Sequence, residues 1–282
     1  MRTPSGMARL GLAGAAAAAL LLLEPVIAYA VLVAPHAVFM DHRTRTGQVY
    51  LVNTGSTPEE VGVELTYGYP ATDSTGNIFI RLIDRPDSTQ PSAAGWIRAF
   101  PRRVVVQPGD RQVIRLLAQP PADLPDGEYW SRIIVSARGQ QLAIAGGDSA
   151  VHAGVSLEVR TIISLNYRKG AVRTGVTLQD FRASVDRDSL IAWVGLGREG
   201  NAAFLGTTRL TLQDSSGAVR GEWSTPTAVY VPVLRRYAFA LEGVARGRYV
   251  LTLDVNTSRE DLPATNILPA APIRRTMGLD VP

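Results

Sequence analysis

Apolar and polar residues alternate with period two along most of this chain, while a 3.6-residue helical period is hard to find. Gln48 to Asn53 is one such run and ends in Asn53-Thr54-Gly55. Glu60 to Tyr67 is the next, with Val61, Val63 and Leu65 on one face. Val104 and Val106 lead into Pro108-Gly109-Asp110, where proline suits the first corner of a turn and glycine tolerates positive φ. Val113, Ile114, Leu116 and Leu117 resume beyond it. Short strands separated by turns fit an all-β sandwich better than βαβ units. The Pro/Ser/Asp-rich stretch from Asp84 to Gly95 and the Gly/Ala-rich stretch from Gln140 to Gly154 read as long connections.

The longest alternation places Val155, Leu157, Val159, Thr161, Ile163, Leu165 and Tyr167 on one face. A single strand of that length spans roughly 40 Å, well beyond the usual strand. Arg168-Lys169-Gly170 ends it and is taken as the domain boundary. A second set of strands is expected at Leu190–Val194, Thr208–Gln213, Ala228–Val233, Tyr237–Leu241 and Tyr249–Val255, with a hairpin turn at Asp214-Ser215-Ser216-Gly217. The organisation expected is an N-terminal address (1–30) followed by two tandem immunoglobulin-like β-sandwich domains (31–169 and 170–282).

The address is read from Arg2 and Arg9, the apolar run Leu10–Leu23, and the small-x-small site Ala28-Tyr29-Ala30. That run is shorter than the roughly 20 residues a membrane-spanning helix needs. It therefore reads as a cleaved signal peptide, with an exported mature chain, periplasmic or at the cell surface, and no membrane span. An apolar fraction of 46% with 19% charged residues describes a core-forming chain. The absence of cysteine excludes disulfides, thiolate metal sites and a Cys nucleophile together. Only one of the 29 basic residues, Lys169, is lysine, and a net charge of +4 without a dense basic run argues against nucleic acid as a partner.

The run from Val31 to Arg168 resembles the N-terminal immunoglobulin-like domain of periplasmic pilus (fimbrial) chaperones of the PapD type. The matching features are a first strand at Val31–Phe39, a strand ending in Asn53-Thr54-Gly55, and Phe100-Pro101 before a strand. Pro108-Gly109 before Val113-Ile114-Arg115-Leu116, Leu124-Pro125, and a last strand closing in Leu165-Asn166-Tyr167-Arg168 complete the set. The resemblance implies a chaperone that lends its last strand to a pilin-like subunit lacking one. Main-chain hydrogen bonds then supply affinity and alternate side chains choose the register. On this sequence Val155, Leu157, Val159, Thr161 and Ile163 would be the donor-strand residues. The same one-sided strand also suits packing in the protein's own core, and alternation alone does not separate the two uses.

The resemblance also implies a basic pair in the cleft that holds a client carboxylate, an Arg on the first strand and a Lys on the last. Here those positions carry His36 and Ser164, with Arg160, Arg168 and Lys169 nearby as possible cleft cations. The family's Leu-Pro-x-Asp-Arg-Glu-Ser run reads Leu124-Pro125-Asp126-Gly127-Glu128-Tyr129-Trp130-Ser131. An exported immunoglobulin-like structural or adhesive module remains the alternative function. No enzyme, cofactor or metal is expected. Gly195 to Gly200 matches GxGxxG but leads into β-pattern rather than a phosphate-binding helix, and no GxSxG or HExxH motif occurs. His36, Asp41 and His42 do not form a metal cluster by spacing, because an extended strand puts His36 and Asp41 on opposite faces.

Overall fold

In a computed structural model the described residues are 31–139, 142–143, 154–155 and 157–282. The expected signal peptide and most of the Gln140–Gly154 connection lie outside them. The fold is all-β, two sandwiches in tandem.

Among the described residues, twelve strands precede Gly170: β1 (Leu32–Ala34), β2 (Ala37–Asp41), β3 (Thr46–Val52), β4 (Glu59–Thr72), β5 (Ile78–Ile83), β6 (Ile97–Phe100), β7 (Arg103–Val106), β8 (Arg111–Ala118), β9 (Gly127–Arg138), β10 (Leu142–Ala143), β11 (Gly154–Val155) and β12 (Glu158–Lys169). One sheet has the order β1-β3-β8-β6; the other runs β2-β12-β9-β4-β5, with β7 also on β4. The chain therefore changes sheets between β1 and β2, at Pro35, whose missing N–H suits a point where no ladder bond is made. Val49, Leu51, Ile114 and Leu116 from one sheet meet Val61, Ile133, Val135 and Leu165 from the other, all buried, in a single core. Asn53 is a fully buried polar residue of this sandwich; its Nδ2 donates to the Thr57 and Val106 carbonyls at 2.7 and 2.9 Å, and its Oδ1 accepts from Gly55 N at 2.9 Å. That explains why the Asn-Thr-Gly turn ends β3. At the Pro108-Gly109 turn, Gly109 adopts φ +77°.

The remaining strands are β13 (Thr174–Asp186), β14 (Ser189–Gly200), β15 (Phe204–Gln213), β16 (Val219–Val229), β17 (Val233–Ala240), β18 (Gly247–Asn256) and β19 (Ile273–Val281). They form the sheets β13-β14-β17 and β16-β15-β18-β19 over a core that includes Leu190, Val194, Phe204, Leu210, Leu251 and Leu253. Gly195 to Gly200 lies inside β14, paired along β13, so the glycine spacing belongs to a strand. The Asp214 turn joins β15 to β16, its Oδ1 accepting from Ser216 N and Ala218 N at 2.9 and 3.1 Å.

Two sequence expectations are corrected. The single strand from Val155 to Tyr167 is two pieces: Val155 belongs to β11, opposite Leu142 of β10, and the long strand begins only at Glu158. The single strand expected at Ala228–Val233 is interrupted: Ala228 and Val229 end β16, residues 230–232 form a bend, and Val233 starts β17. Strands β5, β13 and β19 were not expected. In β5 every residue from Ile78 to Leu82 is exposed, so it shows no one-sided burial; β13 alternates only at Phe181, Ala183 and Val185, after a register shift between Leu178 and Asp180, and β19 only at Met277, Leu279 and Val281, after the exposed run Arg274-Arg275-Thr276.

Candidate functional site: an open strand edge beside a packed joint

β12 has unequal neighbours on its two edges. On one side β9 pairs with it antiparallel along its whole length, Glu158↔Arg138 through Lys169↔Gly127. On the other side β2 pairs with it in parallel, and only from Ser164 to Arg168. Among the described residues, no strand covers the outer edge from Glu158 to Ile163. Ser164 N–H reaches toward β2, donating to the His36 carbonyl at 3.4 Å, and the Arg168 carbonyl accepts from His42 N at 2.9 Å. Backbone groups alternate sides along a strand, so Glu158, Arg160 and Ile162 direct their N–H and C=O to the open side. Such an edge accepts a further strand.

The candidate donor residues share a face of β12 but not a depth. Ile163 is 2% exposed and, with Leu165 and Tyr167, packs in the first sandwich. Thr161 and Val159 are half-buried, and Leu157, just ahead of the strand, is 58% exposed. The apolar face therefore continues past the end of the sandwich's own core into solvent. Val155 belongs to the separate β10–β11 pair rather than to this strand.

The four residues considered as cleft cations also separate. His36 is exposed between β1 and β2, on a recess of about 250 Å³ shared with Asp261 and Asn266. Ser164 and His36 do come together, but neither is a permanent cation. Arg160 is exposed on β12. Lys169 Nζ donates to the Leu124 carbonyl. Arg168 lies in the joint between the sandwiches, where Nε donates to Glu128 Oε2 at 2.7 Å, Nη1 donates to the Asn266 carbonyl at 2.9 Å, and the guanidinium stands 4.8 Å from the Phe39 ring centroid.

That joint was not read from the sequence. Glu128, with its side chain fully buried, accepts from Arg168, and its Oε1 accepts from Trp130 Nε1 and from Ala203 N of the second sandwich, each at 3.0 Å. The Tyr230 hydroxyl donates to Asn166 Oδ1 at 2.9 Å, and its ring meets Trp130 edge-on at 4.8 Å. Tyr67, Tyr69, Trp130, Ala203, Leu205 and Tyr230 make an apolar cluster spanning both sandwiches. Burial pushes the Tyr67 hydroxyl up to about 12 and raises the Tyr230 hydroxyl as well. Arg132, buried one strand over from Ser164 in β9, donates through Nε to the Gly68 carbonyl at 3.0 Å. In sequence it sits inside an unbroken strand pattern, Tyr129 to Val135, and nothing local marks it.

The β4–β5 hairpin also crosses to the second sandwich. Arg236 N donates to the Gly76 carbonyl at 2.9 Å and Leu234 N to Thr72 Oγ1 at 3.1 Å. Among the described residues no group of three His, Asp or Glu side chains is placed to hold a metal ion, and no described helix is long and apolar enough to cross a membrane.

No family model and no curated protein sequence matches the chain. Among solved structures it is similar to the CsuC–CsuE chaperone–tip adhesion subunit pre-assembly complex from the archaic chaperone-usher Csu pili of Acinetobacter baumannii. That match has 13% identity over 89% of this chain and 98% of that one, with a TM-score of 0.44. It is also similar to the YadV chaperone, at 13% identity over 87% of this chain and 99% of that one, with a TM-score of 0.44. The CupB2 chaperone of Pseudomonas aeruginosa matches at 14% identity over 89% of this chain and all of that one, with a TM-score of 0.40.

Proposed function

We propose that this chain is a periplasmic chaperone-like protein that binds pilus or surface-fibre subunits by strand donation, with the division into domains falling after Lys169. The observation that carries the reading is the uncovered edge of β12 from Glu158 to Ile163. Its backbone groups face outward, and Leu157, Val159 and Thr161 line one side where the sandwich's own core runs out. A partner that lacks one strand would gain both a ladder of main-chain hydrogen bonds and an apolar row at two-residue spacing. The partner-binding residues are then Leu157, Val159 and Thr161 by side chain and Glu158, Arg160 and Ile162 by backbone. Ile163 supports the strand from the core side. The resemblance of Val31–Arg168 to pilus chaperones points the same way.

The test is retention of a defined partner by the chain from Val31 to Pro282, compared with Leu157→Asp and Arg160→Pro variants that circular dichroism shows to be folded. The expected result is that the wild type retains a fibre subunit whose sandwich lacks a strand, that Leu157→Asp releases it and that Arg160→Pro retains less of it. Equal retention by all three proteins overturns strand donation. Finding the chain itself built into an isolated fibre favours a structural module instead.

A further inference from the structure

β5 ends its sheet, with β4 along one side and, among the described residues, no strand along the other. The hairpin shows which backbone groups face that open side. Asp73 N donates to the Asn77 carbonyl at 3.0 Å, so Asp73 and Asn77 are a hydrogen-bonded pair. By alternation Thr72↔Ile78, Pro70↔Ile80 and Gly68↔Leu82 are the pairs without bonds between them. Two features of β4 agree: Pro70 has no N–H to give to Ile80, and the Gly68 carbonyl turns away from β5 to accept from Arg132 Nε at 3.0 Å. Ile78, Ile80 and Leu82 therefore aim their N–H and C=O groups at the uncovered edge.

The side chains of this edge are apolar on both faces. Ile78, Ile80 and Leu82 share one face and Phe79 and Arg81 the other, and the four hydrophobic residues are 37 to 41% exposed. Edge strands are commonly guarded by a bulge, a proline or charges. In the second sandwich β13 has its bulge between Leu178 and Asp180, β16 has Pro226, and β19 has Arg274 and Arg275. β5 has neither bulge nor proline, and its one charge is Arg81.

The strand is complementary to itself. Two antiparallel copies related by a two-fold axis through Ile80 set Ile80 against Ile80, Ile78 against Leu82, and Phe79 against Arg81. In that register each outward N–H meets an outward C=O of the other copy. One face becomes an unbroken aliphatic row, and on the other each guanidinium lies across from an aromatic ring, a favourable cation–π pair. Centring on Arg81 instead would oppose two like charges and would align backbone groups already turned to β4.

We infer that β5 is a self-association edge, which a second copy of this chain covers by antiparallel β5–β5 pairing centred on Ile80. β12 lies toward the far side of the same sheet, so its open edge stays free in the dimer and the inference does not rest on strand donation.

Sedimentation equilibrium of the chain from Val31 to Pro282 should show a reversible monomer–dimer system, since a single strand pair makes a contact of the small, transient class. Ile80→Lys, at an exposed position, should stay folded by circular dichroism and raise the dimer dissociation constant about tenfold or more, by setting like charges against each other. Oxidative cross-linking reads the register, because the chain has no cysteine of its own. Ile80→Cys brings two thiols onto residues with Cα atoms about 5.5 Å apart, within disulfide range, and should link rapidly. Ile78→Cys is similarly exposed but leaves its thiols well apart along the ladder, and should link slowly. A single monomeric species at every concentration, a dimer that Ile80→Lys leaves intact, or Ile80→Cys linking no faster than Ile78→Cys overturns the pairing. A chain that stays monomeric while Ile80→Lys loses a fibre subunit would assign the edge to another protein, and overturns it too.

Discussion

Arg168 on β12 donates to Glu128 on β9 at 2.7 Å, and the same carboxylate receives Ala203 N from the second sandwich. One buried acid thus ties the last strand of the first sandwich to the start of β15. Glu128→Ala would leave the Arg168 guanidinium buried beside no counter-charge, at a cost of about 3–5 kcal/mol. Urea unfolding should show that loss. Glu128→Gln keeps an acceptor and should cost less, and equal losses for the two substitutions would count against a charge role.

Leu157 and Ile163 lie on the same face of the same stretch and should behave oppositely. Leu157→Asp, at a 58% exposed position, should leave unfolding within about 0.5 kcal/mol of wild type while abolishing partner binding. Ile163→Asp buries a carboxylate in the first core and should prevent folding. A folded Ile163→Asp protein would mean that the core does not close over that position.

Arg160 tests the backbone rather than the side chain. Its N–H points to the uncovered side of β12, by alternation from the Ser164 N–H that faces β2. Proline there removes one outward donor without removing a bond to β9, and the residue before it, Val159, is already extended. Melting should change little and partner affinity should fall about tenfold, the scale of one main-chain hydrogen bond in a buried ladder. Arg160→Ala should bind normally.

Tyr67 contributes to alkaline stability. Its hydroxyl is pushed up to about 12 by burial, against about 10 when unfolded, so the fold disfavours the ionised form. The stability linked to this group is complete below pH 10 and is lost as pH rises toward 12. Tyr67→Phe should flatten the decline of melting temperature in that window, with tyrosinate absorbance showing one fewer late-titrating group. An unchanged slope would remove Tyr67 from the account.

Gly76 stands at φ +80°, where a Cβ would lie 2.6 Å from Arg236 Cβ. Gly76→Ala should destabilise by about 1 kcal/mol or more through backbone strain and that contact. Because Arg236 N and the Trp193 ring also lie 2.7 Å from that Cβ, urea unfolding should show the loss, and an unchanged midpoint would mean that the hairpin tip is not held against the second sandwich.

The sequence by itself determined the strand grammar. Val49/Leu51, Val61/Val63 and Leu210/Leu212 alternate because one face of each strand is buried, and the Pro108-Gly109 and Asp214–Gly217 turns follow from their own backbone chemistry. It also marked one face of β12. What it left to the tertiary structure is where that face leaves the core: Ile163 is inside and Leu157 outside, though their local patterns are alike. Alternation reports which way a side chain points, and carries no information about which strand lies alongside. The uncovered edge exists because β2, more than 120 residues earlier in the chain, pairs only from Ser164 onward. The joint has the same origin, since Glu128, Asn166, Ala203 and Tyr230 become partners only when the two sandwiches close on each other.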